Sequence, residues 1–262
     1  MKKRKGLNIK RKVFAYPYVL FMLVFVLLPL ILMLQKAFVN ENGLTLEYFE
    51  EFFTQSQNVT VLLNSVVMGL VVTLLCLLIG YPAAYFLSKY FKDSILVILF
   101  ALPMWVNFLI RTLSMQAIFI ALDVTLGTET LLIGLIYNFL PFMILPLHTS
   151  ISGIDKSYIE AAQDLGADGF TVFTKTILPL SVPGIISGIT MVFIPTISTF
   201  AISEFLAGGS MYLFGDSINS KVMNNLYGIA SAMSLIMMIF VIISNVLMNR
   251  KGNKETEAKN LW

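Results

Sequence analysis

A carboxylate, Glu204, falls near the end of an apolar run from Gly184 to Phe205. A charge at such depth is costly and is functional or paired. Thr196, Thr199 and Ser203 precede it at i, i+3 and i+7, a spacing that gives a polar stripe on one helix. Trp105 and Asn107 follow Pro103 in another apolar run, and Tyr137 with Asn138 lies in a third. Asp123 and Asp216 stand in polar connections near the same side. Carboxylates and aromatic faces together suit a cation. Each group also has a plainer use. Trp105 fits an interfacial aromatic, Glu204 an ion pair with Arg111, and the hydroxyls helix–helix hydrogen bonding. Gly184 and Gly188, like Gly80 and Ala84, have the four-residue spacing of close helix contacts.

Catalysis finds no support. His148, the only histidine, stands at the inner end of an apolar run without a Gly-x-Ser-x-Gly motif or a second His, and reads as a terminal histidine facing water or headgroups. With Cys76 the only cysteine, a zinc site built on His/Cys clusters is not expected. No residue is expected to be catalytic or to bind a metal. No Gly-x-x-x-x-Gly-Lys-Ser/Thr phosphate loop occurs, and Gly208-Gly209-Ser210 lacks the lysine. No cofactor is expected on this chain. ATP with its Mg, where used, belongs to another polypeptide.

These residues sit in a chain that is 57% apolar and 13% charged, with mean hydropathy +0.83. A water-soluble domain carries roughly a quarter charged residues, so a soluble reading is excluded. Crossing a bilayer takes roughly 20 apolar residues as a helix. Six candidates emerge: Val13–Leu34, Val61–Leu87, Ile95–Ile110, Leu131–Leu147, Gly184–Phe205 and Tyr227–Met248. The first is longer than a signal-peptide core of about 7–15 residues and lacks a small-x-small cleavage site, so it reads as a retained helix. The expected fold is an all-α, multi-pass membrane protein of six helices. Residues 1–12 form a basic N-terminus, 13–248 the membrane domain, and 249–262 a polar, mobile tail.

Lys and Arg are retained on the cytoplasmic side. With the N-terminus inside, 15 of the 18 fall there, leaving Lys36, Arg111 and Lys221 outside. Both termini are expected in the cytoplasm.

The inner segment 148–183 is long for a connection between bundle helices, commonly about 2–8 residues. Ser157 and Glu160 have capping-box spacing. Ile159, Ala162 and Leu165 then fall on adjacent helical positions, and Gly166 suits a stop that needs positive φ. Asp168 can cap a second helix through Phe170, Phe173 and Ile177, ended by Pro179. Two short helices at a bend make a knob in the cytoplasm.

Glu160-Ala161-Ala162-Gln163-Asp164-Leu165-Gly166, ending at Leu178-Pro179, resembles the EAA loop of bacterial ABC-importer permeases. One departure is Thr176, where that family usually has isoleucine. The segments 102–111, 140–147 and 202–209 further resemble the PotB-type permeases of spermidine/putrescine importers. The resemblance implies a type I importer permease fold (MetI-like) in the bacterial cytoplasmic membrane. It assigns ATPase coupling to Glu160, Ala161, Ala162, Gly166, Phe170, Leu178 and Pro179. The partners it implies are two copies of an ABC ATPase, a second related permease, an extracytoplasmic binding protein and membrane lipid, with no nucleic acid. A polyamine is a flexible polycation, and a path including Trp105, Asn107, Tyr137, Thr196, Thr199, Ser203, Glu204 and Asp216 fits it. Another small solute, or a secondary transporter or channel, is the alternative; the latter predicts an inverted repeat, and none is evident.

Overall fold

A computed structural model describes residues 15–41, 43–90 and 95–259. The basic stretch 1–12 and Lys92, used above for orientation, lie outside the described residues. The chain opens with α1 (Ala15–Met22), a π-turn (Leu23–Leu27) and α2 (Leu28–Phe38), which form one apolar rod from Tyr16 to Phe38. The π-turn precedes Pro29, which cannot donate to the helix ladder; Leu28 N–H instead reaches back to Leu23 C=O. The rod meets the rest of the bundle through Ala37, Met33 and Phe38 against Ala232 and Leu235. A short hairpin, β1 (Val39–Asn40) with β2 (Gly43–Leu44), is a small departure from an all-helical chain. It leads to α3 (Glu47–Thr54) and the long α4 (Ser56–Tyr90).

The third expected span is not one helix. The elements α5 (Ile95–Trp105) and α6 (Phe108–Ala121) meet at 90°. Asn107 causes the restart, its side-chain oxygen accepting from Leu109 N–H at 2.8 Å as an N-cap. The fourth span is longer than expected: α7 runs Thr128–Ser152 straight through Pro141 and Pro146. Then come α8 (Lys156–Asp164), α9 (Gly169–Val172), a π-turn (Phe173–Ile177), α10 (Leu178–Leu180) and α11 (Val182–Ser198). The fifth span therefore ends at Ser198, where Thr199 turns extended with ψ 148°. The chain restarts as α12 (Ala201–Leu206), so the stripe Thr196, Thr199, Ser203 is split between two helices and their junction. After α13 (Phe214–Met223), α14 (Tyr227–Lys259) carries helix well into the expected tail.

Among the described residues, four helices are long and apolar enough to cross a membrane, and six spans result if each bent pair counts as one. The core lies where α4, α7 and α11 pack, around Val72, Cys76, Leu135, Met143, Ile144 and Leu147. Glycine permits the approach. A Cβ on Gly188 would lie 2.6 Å from Met143 Sδ, and one on Gly184 2.9 Å from the Pro146 carbonyl oxygen, as expected for small-residue helix contacts. The opposite face of α4 exposes Leu63, Val67, Leu70, Leu74 and Leu78, a stripe suited to lipid tails.

Candidate functional site: a knob at one end of the bundle and a cavity at the other

The knob grows from the end of α7. Asp155, not Ser157, is the N-cap of α8: its carboxylate accepts from Ser157 N–H at 2.9 Å. The Ser157/Glu160 template is satisfied in spacing only, because the helix begins earlier, at Lys156. Glu160 and Ala161 consequently remain exposed, whereas Ala162 packs inward with Ile159 against the core. Gly166, at φ +82°, stops the helix as expected. Gly166 N–H donates to Gln163 C=O at 2.8 Å and Ala167 N–H to Ala162 C=O at 3.0 Å, closing the last carbonyls in the manner of a glycine C-cap. Asp168 caps α9 through Thr171 N–H at 3.2 Å. Hydrogen bonds from Ser157 and from Thr171 hold the Asp155 and Asp168 carboxyls below the usual carboxylate range.

The second knob helix does not end at Pro179. The π-turn lets Leu178 N–H bond Phe173 C=O, and Pro179 then occupies a first-turn position where its missing N–H costs nothing. The break falls at Ser181, with a 62° bend into α11. Leu178 and Pro179 are exposed beside that bend. Leu165 (90% exposed) and Phe170 (74%) place apolar surface on the outside of the knob.

About 37 Å away, by the length of α7 at ~1.5 Å per residue, α12 and α13 enclose a cavity of about 310 Å³. Thr130, in the first turn of α7, fixes its position by donating to Leu206 C=O at 2.7 Å. Ser203, Glu204 and Asp216 line the cavity with Tyr212, Asn219 and Ser220. Asp216 accepts from Leu213 N–H at 2.7 Å, and the next residue, Phe214, donates to Ser65 Oγ on α4 at 2.6 Å. Burial, with Glu204 adding like charge, pushes the Asp216 carboxyl up to about 6 against the opposing Ser203 and Leu213 hydrogen bonds.

The other path candidates do not join them. Trp105 is 80% exposed at the end of α5, Asn107 is engaged as a cap, and Tyr137 faces outward from α7. Thr196 is buried and donates to Val192 C=O within its own helix, and Thr199 ends α11. The pair between Glu204 and Arg111 is absent; Arg111 Nε and Nη1 are buried without a partner among the described residues. Tyr212, Asn219 and Ser220 gave no signal in sequence, because they lie in a polar connection without periodicity.

The profile of the family described as "Binding-protein-dependent transport system inner membrane component" matches residues 76–251, from mid-α4 through α14. The chain belongs to that family. The spermidine/putrescine transport system permease protein PotB of Haemophilus influenzae is 34% identical, over 88% of this chain and 92% of its own. PotB of Escherichia coli K12 is also 34% identical, over 76% and 81%. The fold matches a chain of a bacterial ABC transporter involved in import of the acidic polysaccharide alginate, with TM-score 0.74 at 17% identity, covering 94% and 97%. It also matches a chain of the MetNI methionine ABC transporter, with TM-score 0.58 at 17% identity, covering 76% and 94%. Membership in this inner membrane component family makes the chain a transport component rather than an enzyme, and both knob and cavity fall inside the matched region.

Proposed function

We propose that this chain is the permease subunit of an ATP-driven importer, forming half of a translocation path for polyamines of the spermidine/putrescine class. Both termini and the knob face the cytoplasm of a bacterial cell, and the cavity opens on the outer side. The observation that carries the cargo reading is the meeting of Glu204 and Asp216 in one cavity, at the end of the bundle opposite the knob. Two carboxylates in a partly enclosed, partly dehydrated space attract ammonium groups more strongly than either does in water. The aromatic ring of Tyr212 adds a face for a cation. Identity of 34% to polyamine permeases over most of the chain supports the same class.

The knob docks on a separate ABC ATPase, present in two copies, which holds ATP and Mg. Leu165 and Phe170 provide apolar contact there, while the exposed Glu160 and Ala161 lie on α8 of the same knob. A second related permease completes the path, and an extracytoplasmic binding protein delivers cargo. Reconstituted with those partners, the complex takes up labelled spermidine or putrescine only with ATP, and does not take up amino acids, sulfate or iron chelates. Uptake of a non-cationic solute in preference to polyamines refutes the cargo reading; uptake without ATP refutes the importer reading.

A further inference from the structure

The chain leads directly from the knob into α11, but α4 has no covalent link to the knob. A buried hydrogen bond joins them. Tyr81 of α4 and Ser181 at the 62° bend are both buried, with Tyr81 Oη 2.8 Å from Ser181 Oγ across 100 residues of sequence. Ser181 Oγ spends its own proton on Leu178 C=O at 2.9 Å, so Tyr81 O–H donates. The Tyr81 ring also meets Phe173, the first residue of the π-turn, edge to face at 5.8 Å, and Tyr85, one helical turn further along α4, meets Phe173 edge to face at 5.3 Å. Phe173 is therefore clasped by α4.

At this level prolines lie inside α4 and α7, and the chain bends at the entry to α11. Pro82 follows Tyr81 in α4 and Pro179 and Pro183 flank Ser181. The carbonyl of Pro146 in α7 lies where Gly184 gives it room. Pro82 and Pro146, inside their helices, each remove a ladder hydrogen bond, whereas Pro179 and Pro183 stand in first-turn positions at the bend; π-turns recur at functional sites. Helices interrupted at one level can pivot there, while a hydrogen bond and an aromatic clasp fix which element drives which.

We infer that the Tyr81–Ser181 hydrogen bond, with Phe173 clasped beside it, is the joint that delivers movement of the knob to α4. Tyr81 and Ser181 are positioning residues. The inference rests on the docking of the knob on an ATPase proposed above. Because α4 holds α13 through Ser65 and Phe214, movement of α4 reaches the cavity.

The test uses the complex reconstituted with its ATPase and a Ser220→Cys reporter in the cavity, Cys76 being buried. Its readout, the rate of labelling by an impermeant maleimide, is independent of cargo. Adding ATP changes that rate by about fivefold or more in the otherwise unaltered chain. Tyr81→Phe, which keeps the ring and its stack, reduces the change to less than about twofold. Ser181→Ala does the same, ATP hydrolysis and ATPase co-purification persist, and Ser181→Thr restores the response. Tyr85→Phe, which loses a hydroxyl outside the joint, behaves as the unaltered chain. A full ATP response in Tyr81→Phe overturns the joint while leaving docking intact. An unaltered complex that neither retains the ATPase nor responds to ATP overturns docking, and the joint with it.

Discussion

Asp216 offers a quantitative test of the cavity. Its carboxyl titrates at about 6 because it is buried and faces Glu204. Below that value it is protonated and neutral, so its attraction for an ammonium group disappears as outer pH falls. With a midpoint of about 6, the ionised fraction drops from about nine-tenths at pH 7 to about one-tenth at pH 5. A charge pair at 4 Å near a protein surface is worth up to about 4 kcal/mol. Solvent entering the open side of the cavity cuts this to about 1 kcal/mol, or roughly fivefold in rate. Uptake of labelled spermidine into proteoliposomes, with lumenal pH fixed and outer pH varied, should therefore fall severalfold between pH 7 and 5. Asp216→Asn keeps an acceptor for Leu213 N–H but no charge, so its uptake should be low and flat with pH. Glu204→Gln removes one cause that raises the Asp216 value, so the profile should move below 6 while the rate at pH 7 falls. An Asp216→Asn complex with unaltered rate and profile refutes the reasoning.

Other expectations concern the knob and the helix contacts. Gly166 sits at φ +82° in open space, so Gly166→Val introduces backbone strain of about 1–2 kcal/mol without a clash; hydrolysis per molecule transported should rise. Phe170→Ala removes exposed apolar surface; it should lower ATPase co-purification and leave the melting temperature of the isolated permease unchanged. Gly184→Val drives a side chain into the Pro146 carbonyl; overpacking of about 1–3 kcal/mol should lower thermal stability in detergent, while Gly169→Ala, with nothing within 4 Å, should not.

Much of this architecture was legible because membrane spans and caps are local. Run length and hydropathy located the long apolar helices, although α4 and α7 extend beyond the expected runs and α14 continues past Met248 into the expected tail. Asp168 and Gly166 performed the capping and stopping their types suggest. Failures arose where local signals compete. Ser157/Glu160 and Asp155 both fit a helix start, and spacing alone cannot rank them; the observed bond belongs to Asp155. Pro179 reads as a stop, yet a π-turn absorbs it. The hydroxyl stripe assumed helix past Ser198, and the break at Thr199 dissolved it. Glu204 and Arg111 suggested an ion pair by sign alone, whereas the fold turns Glu204 towards Asp216. The Tyr81–Ser181 bond spans 100 residues, and no periodicity in one sequence encodes such a distance.

The central claim is that nucleotide-driven motion enters this chain at the knob. Ala161 is exposed on α8 and points away from the core. A short thiol cross-linker from Ala161→Cys in native membranes should capture an ABC ATPase subunit, and a cysteine replacing Ile243 on the exposed face of α14 should not. Repeated cross-linking from Ala161→Cys that never yields an ATPase would contradict it.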